Sequence, residues 1–575
     1  MMLDVSGFSF GPALIAPNRT RFRLWAPEAQ RAVLEIVGLQ PVEMSRADGG
    51  WYQAEAACGA GAQYRFRIGD TLVPDPASRM QARDVHDASV VTDPDSYEWK
   101  CHWRGRSWAE TVIYELHPGL LGGFSGIAGH LTRLSDIGVN AIELMPIADF
   151  PGSRNWGYDG VLPFAPDRSY GTPDELKALI DTAHGRGISI FLDVVYNHFG
   201  PDGNYLGLYA RRFFDESKHT PWGAAINFAE PNVRRFFIEN ALYWLNEFRF
   251  DGLRFDAVHA ILDASFLHEL AREIRANVAP DRHVHLVVEN DNNDATLLRA
   301  GFDAQWNDDL HHVLHVLLTG ETNGYYSDFA KAPAEKLARA LDGGFVYQGD
   351  MSEFHGRRRG SSTAGLSPVS FVSFLQNHDQ TGNRAFGERL TVLADPAKLE
   401  AAIALQLLCP EIPMIFMGEE SGTREPFYYF TDHQDPGLAE AVRNGRRSEF
   451  AKFPEFSDPE KRARIPDPNA LETYEKSRPD FSENARSALY KQLLRLRRER
   501  LTSRLRGAVS HGAAAVGAAA VLARWRLDDG AILTIGSNFG DEPARTPLPE
   551  SQPIWGERVS GAIPPATTLV WIDAP

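Results

Sequence analysis

The chain of 575 residues is poor in cysteine, in positive charge and in long apolar runs. Its three cysteines, Cys58, Cys101 and Cys409, stand far apart, which excludes a disulfide framework and a CxxC metal knuckle and points to a reducing, cytoplasmic setting. The opening MMLDVSGFSFGPALIAPNRT has no basic start followed by a long apolar run, so no export signal is expected. No later segment is long and apolar enough to span a bilayer, which removes the membrane from the expected partners. Lys and Arg number 59 against 76 Asp and Glu, a net charge of −17. That balance repels nucleic acid and anionic lipid, outside local basic spots such as Arg357 to Arg359. A neutral substrate is the natural expectation.

What is present is periodicity of two kinds. Up to about residue 95, short runs such as TRFRLWAP, RAVLEIVG, GWYQAEA and AQYRFRIGD alternate with turn signals, and the same pattern returns from about residue 502 in AVLARWRL, AILTIGSN and TTLVWIDA. Both regions read as small β-sandwiches. Between them lie eight apolar runs, TVIYEL, VNAIELMP, ISIFLDVVYNH, FDGLRFD, VHLVVEN, FDAQW, VSFVSFLQNHD and IPMIFMGEE, separated by helical patterns. Eight strands alternating with helices imply a closed (β/α)8 TIM barrel, with a doubly wound open sheet as the alternative. The expected organisation is an N-terminal β-sandwich over 1–95, a barrel over 96–501 and a C-terminal β-sandwich over 502–575. In TPDELKALIDTAHGRG, Thr172 is placed to cap a crossover helix, with Pro173 in its first turn. Long excursions follow VVYNH (about 199–230) and FDAQW (about 307–368), where barrel enzymes build specificity.

Polar residues interrupt the apolar runs at their C-terminal ends: Asp193, Asn197 and His198; Arg254 and Asp256; Glu289; His378 and Asp379. A barrel brings all these ends to one face. Three carboxylates crowded there cost repulsion and desolvation and are rarely kept for stability. The chemistry that needs them is glycoside hydrolysis, in which one carboxylate attacks the sugar and another protonates the leaving oxygen. Arg254 shares a strand face with Asp256 and would hold it charged. Glu289 follows HLVV with no cation adjacent in sequence, so burial would let it carry a proton. Asp379 is left to bind hydroxyls and stabilise positive charge.

The four segments DVVYNH, GLRFDAVH, VVEN and FLQNHD together resemble the ordered signature regions of the α-amylase superfamily, glycoside hydrolase family 13. The resemblance implies Asp256 as nucleophile, Glu289 as general acid/base and Asp379 as the third acid. It also implies Arg254 as orienter of the nucleophile, His198 and His378 as sugar hydrogen-bonders, and Tyr158 of NWGYDG as the aromatic platform. ENDNND, NHDQTGNRAFGERL and the opening FGPALIAPNRTRFRLWAPEAQRAVLEI are similar, more narrowly, to the trehalose-releasing branch of that superfamily. Asn292 departs from that pattern, where an apolar residue is expected. The branch implies a maltooligosyltrehalose substrate among related α-glucans, no cofactor, and a synthase of that substrate as pathway partner. Phe354 of SEFHG, and Arg384 with Phe386, are candidates for its product side. Branching or debranching enzymes, and a non-catalytic barrel, are the competing readings. His311 and His315, four apart in NDDLHHVLH, have helical metal-ligand spacing, but HExxH is absent and no metal or calcium site is expected.

Overall fold

The computed structural model describes residues 7–220, 222–453 and 456–574; the first six residues of the opening stretch lie outside them. Eight parallel strands close into a barrel: β1 (Ile113–Leu116), β2 (Ala141–Leu144), β3 (Ser189–Val194), β4 (Gly252–Phe255), β5 (His285–Val288), β6 (Ala304–Trp306), β7 (Phe371–Ser373) and β8 (Ile412–Phe416). Each pairs with the next in chain order, and β8 closes on β1 through Met414 opposite Ile113. Every residue of these strands is buried, because helices cover the outside and side chains fill the inside. That double burial makes their sequences continuous apolar runs instead of alternating ones.

Crossover helices follow most strands: α1 (Gly123–Ile137), α2 (Pro173–His184), α3 (Pro231–Asn246), α4 (Ala264–Asn277), α5 (Asp308–Thr319), α6 (Pro396–Leu408) and α7 (Ala485–Arg500). Helix α2 starts as its sequence implies: the Thr172 hydroxyl accepts from Glu175 N while the Glu175 carboxylate accepts from Thr172 N, a reciprocal cap. Between β5 and β6 the connection carries only a single 3-10 turn, Leu297–Arg299. Helix α7 is fastened to the barrel by buried Arg497, which donates to the carbonyls of Leu407, Cys409 and Glu411.

The excursion after β6 is not an open loop. It contains α5, two further helices (Ser327–Ala330 and Pro333–Gly343) and a hairpin pairing Asp350–Ser352 with Arg357–Arg359. After β3, a hairpin of Phe214–Thr220 with Gly223–Ile226 stands over the barrel mouth.

The N-terminal sheets are antiparallel: four strands around Arg19–Trp25 and Trp51–Ala56, and five around Val33–Ile36 and Gln63–Ile68. Their inward residues meet face to face, as in the Phe22 and Tyr64 rings 4.7 Å apart. They rest on the barrel through Glu239 of α3, which accepts from Ser9 N and Phe10 N, and through Arg79, whose guanidinium lies 4.4 Å from both the Phe164 and Tyr243 rings. The C-terminal sheet orders Val509–Gly517, Ala520–Arg526, Ile532–Asn538 and Thr567–Asp573, with a short pair at Ala544–Arg545 and Ala562–Ile563. GAAAVGAAAV forms the end of its first strand, a tight turn and the start of the second.

Candidate active site

Arg254 on β4 and Asp256 just beyond it reach the barrel mouth on the same face, as residues two apart in a strand must. Arg254 Nη1 donates to Asp256 Oδ1 at 2.8 Å and to Asp193 Oδ2 at 2.7 Å. The guanidinium is fully buried and lies 4.0 Å from the centre of the Trp306 ring, so it cannot swing away. Asp256 Oδ2 accepts from Asn197 Nδ2 at 3.2 Å. With each oxygen held by a different donor, the carboxylate of Asp256 is fixed in orientation beside a full positive charge.

Glu289 is fixed by the segment that carries Asp256. Its Oε2 accepts the backbone N–H of Ala257 at 2.6 Å, and its carbonyl accepts from Val258 N. Ala257 occupies the left-handed region, φ 40°, at a cost of about 1–2 kcal/mol for a residue with a Cβ. The strained turn aims its N–H at Glu289. Burial pushes the Glu289 carboxyl up; Arg254 opposes that, while Asp256 and Asp379 add to it. The sequence places no cation beside Glu289, yet the fold does: Arg254 Nη2 is 3.7 Å from Glu289 Oε2. Asp193 behaves alike, pushed up to about 7 by burial despite the ion pair with Arg254.

His378 and Asp379 begin a short helix after β7, capped by Asn377, whose Oδ1 accepts from Asp379 N and Gln380 N. The Asp379 side chain is 42% exposed, against 11% for Asp256 and 15% for Glu289, so it faces the open cleft. His378 gives Nδ1 to Glu115 Oε1 at 2.5 Å and its backbone N–H to Glu115 Oε2 at 3.1 Å. Burial pulls this imidazole down, but the carboxylates of Asp379 and Glu115 outweigh it and hold it at about 9. Tyr158 stacks on the His378 ring at 5.0 Å and donates its hydroxyl to Asp193 Oδ2 at 2.6 Å. His198 joins the cluster differently from the expectation. Its two ring nitrogens face Asn197 Oδ1 and the Tyr158 carbonyl, each at 2.9 Å, and burial pulls the ring toward its neutral form, so its single N–H serves one of these two acceptors. Its ring instead stacks on half-exposed Trp222 of the hairpin after β3, 4.6 Å away.

A cavity of about 310 Å3 opens beside Glu289 and Asp379, walled by Asp308, His312, Tyr325, Phe354 and Arg359. Phe354 is 49% exposed there, as a residue free to meet a ligand must be. Arg384 is not in that wall: Glu321 takes its guanidinium through two bonds of 2.7 and 2.9 Å, and Glu388 a third. Phe386 packs on Phe456. Of the helical histidines, His311 Nδ1 bonds the Leu375 carbonyl and His315 Nε2 meets Glu321.

Sequence reasoning passed over Glu115, Asp308 and Trp222. Glu115 carried the same signal as Arg254, a charge inside an apolar strand. Asp308 looked like an ordinary first-turn acid of α5, yet burial, reinforced by Glu289, pushes its carboxyl well above the usual range. Trp222 had no signal, since its stacking partner is remote in sequence.

Residues 90–222 match the family model described as alpha amylase, catalytic domain, and residues 510–571 match a domain of unknown function, DUF3459. A malto-oligosyltrehalose trehalohydrolase from Saccharolobus solfataricus is 44% identical over 443 residues, 74% of this chain and 78% of that protein. A 1,4-alpha-glucan branching enzyme from Streptomyces coelicolor is 34% identical over 275 residues, only 42% of this chain and 37% of its own. Among solved structures, a Salmonella typhimurium protein described provisionally as an alpha amylase is 41% identical, with a TM-score of 0.93 over 98% of this chain and all of that one. Likeness on that scale reaches from the first sheets through the barrel mouth to the last sheet, and the chain belongs to the malto-oligosyltrehalose trehalohydrolase family of the α-amylase superfamily.

Proposed function

We propose that the chain is a retaining glycosidase that hydrolyses the α-1,4 bond next to the terminal trehalosyl unit of maltooligosyltrehalose and releases trehalose. The observation that carries this reading is the pairing of two carboxyls in opposite surroundings against one guanidinium. Asp256, gripped by Arg254 and Asn197, attacks the sugar carbon. Glu289, buried and pushed toward its protonated form, gives its proton to the leaving oxygen and then takes one from water. Asp379, open to the cleft, binds hydroxyls and steadies the oxocarbenium-like transition state. Tyr158 is the platform under the sugar whose bond breaks, and His378 donates to that sugar through Nε2. His198 acts through Asn197 and Trp222 instead of touching the sugar with a ring nitrogen. Phe354 stands across the cavity from the acids, where the departing trehalose would lie.

The substrate implies an upstream enzyme that converts the reducing end of a maltooligosaccharide into a trehalosyl end, and that synthase is the proposed pathway partner. A cytoplasmic setting is supported by three cysteines that form no disulfide. No helix among the described residues is long and apolar enough to cross a membrane.

The decisive experiment incubates the purified protein with maltotriosyltrehalose and identifies the sugars. Trehalose plus maltotriose is the expected outcome, with the new reducing end first appearing as the α anomer. Release of glucose or maltose alone would overturn it, and a change in α-1,6 branching of glycogen without trehalose release would overturn it in favour of a branching or debranching activity.

A further inference from the structure

We propose that Glu115, at the end of β1, is a positioning residue for the reaction: it clamps His378 from across the barrel and keeps the imidazole Nε2 turned, as a donor, toward Asp379 and the sugar. The catalytic part of this statement rests on the function proposed above. The clamp itself rests on geometry.

Both oxygens of Glu115 are spent on one residue, Oε1 on the Nδ1 of His378 and Oε2 on its backbone N–H. The contact is not between neighbouring strands. β1 pairs with β2 and β8, whereas β7 pairs with β6 and β8, so the bond spans the interior over the top of β8. Glu115 and His378 are each 1% exposed. A carboxylate buried so completely costs several kcal/mol of lost hydration unless a charged partner offsets it. An apolar residue in IYEL would fill the barrel interior without that cost, so stability does not account for the acid. With Nδ1 occupied, the ring cannot rotate to exchange its nitrogens, and only Nε2 is left to face Asp379 Oδ1, 3.5 Å away.

The surroundings favour a charged ring. Glu115 from β1 and Asp379 from the helix after β7 face it as carboxylates, Arg254 from β4 opposes it, His117 after β1 is itself pulled down to about 4 by burial and stays neutral, and the rings of Trp156, Tyr158 and Trp306 enclose it. Glu143, opposite Glu115 on β2, also faces this space. Burial, then Asp193 and Glu115, push its carboxyl well above the usual range, so it stays protonated and does not compete for the imidazole. A charged His378 donates through both nitrogens. Once neutral, it keeps the Nδ1 proton for Glu115 and loses its donor on the substrate side.

The test uses full-length protein labelled with 15N-histidine, wild type and Glu115→Gln, with the His378 ring signals assigned by their loss in His378→Asn. In the wild type the doubly protonated ring should persist until the pH nears about 9. In Glu115→Gln its titration should move down by at least about one pH unit, a tenfold weaker proton affinity. The same variant should lose about fivefold in kcat/KM for maltotriosyltrehalose at pH near 9 and little at pH near 6. Adding Glu115→Gln to His378→Asn should cause no further loss, because a residue acting through another has nothing left to act on. Glu143→Gln, a change in the same buried layer, should move neither the titration nor the rate. An unmoved His378 titration, additive losses in the double variant, or equal effects from Glu143→Gln would each overturn the proposal. If the single variant fails to fold, the double variant, which removes anion and cation together, should fold and match His378→Asn; its failure to do so counts against the clamp. The ring titration needs no turnover, so a protein that released no trehalose would refute the proposed reaction and still show whether Glu115 controls the protonation of His378.

Discussion

Replacing Glu289 by glutamine separates proton donation from every other contribution of that side chain. The amide oxygen can still accept the Ala257 N–H, the bond now 2.6 Å long, so the loop stays where it is. Volume and burial barely change. What disappears is the proton for the leaving oxygen, a contribution of about 100- to 10,000-fold in general acid catalysis, or about 3–5 kcal/mol of barrier. The same change removes a titration. Burial pushes the Glu289 carboxyl up, with Asp256 and Asp379 adding to the shift. In the wild type the acid therefore stays protonated above the ordinary carboxylate range, and the rate falls as pH rises through that elevated value. The assay is trehalose release from maltotriosyltrehalose as a function of pH, together with hydrolysis of a maltosyl fluoride, whose fluoride leaves without a proton. Glu289→Gln should lose the rate on the natural substrate, lose much less on the fluoride, and lose the alkaline fall that the acid imposes. A variant within tenfold of wild type on maltotriosyltrehalose, or equally slow on both substrates at the first chemical step, refutes the assignment.

Asp256→Ala should lower turnover by about three orders of magnitude or more, with far-UV circular dichroism and the melting curve close to wild type. Arg254→Met leaves Asp193 and Asp256 buried without their cation and should cost about 3–5 kcal/mol. With the Asp193 carboxyl, already pushed up to about 7 by burial, then raised further, the loss should grow as pH rises from 5 to 8, and calorimetry showing the reverse trend would refute the account. Ala257→Gly relieves the left-handed strain at φ 40°, so the melting temperature should hold or rise while kcat falls as the Glu289 anchor loosens. Phe354→Ala, at a half-exposed position, should leave stability within about 0.5 kcal/mol and raise KM more than it lowers kcat.

The barrel was readable because its strands are buried on both sides. IFLDV, GLRF and HLVV contain almost nothing but apolar residues, and each polar interruption therefore carried information. Asp256, Glu289 and Asp379 were singled out that way, and the structure places Glu289 and Asp379 on one cavity with Asp256 close enough to act on Glu289. Pairings across long stretches of chain were not readable. Arg384 was a candidate for ligand contact from its place after Asp379, with a salt bridge to Glu388 or Asp379 as the alternative; the structure pairs it with Glu388 and also with Glu321, 63 residues away and beyond any local pattern. Likewise, the ring of His198 offered two nitrogens on paper, and only the fold shows them facing Asn197 Oδ1 and the Tyr158 carbonyl. The excursion after β6 read as loop because glycines, prolines and polar residues interrupt it. Its helices are held instead by tertiary contacts, such as Asp309 accepting the N–H groups of Val346 and Tyr347. Helical patterns were expected between all eight strands, and the turn formers of NDNNDATLLRAG, where only a single 3-10 turn forms, were passed over.

That bare connection has a partner. Gly360 N and Ser361 N donate to the carbonyls of Asn292 and Asn293, the Ser361 hydroxyl accepts from Ala295 N, and Arg299 reaches the carbonyls of Ser362 and Ala364. The loop leaving Glu289 is thus sewn to the stretch that follows Phe354, and the proton donor and the ligand-facing wall form a single mechanical unit. In the proposed reaction, ordering the wall would also order the acid, so discrimination between leaving groups would be expressed in turnover as much as in affinity.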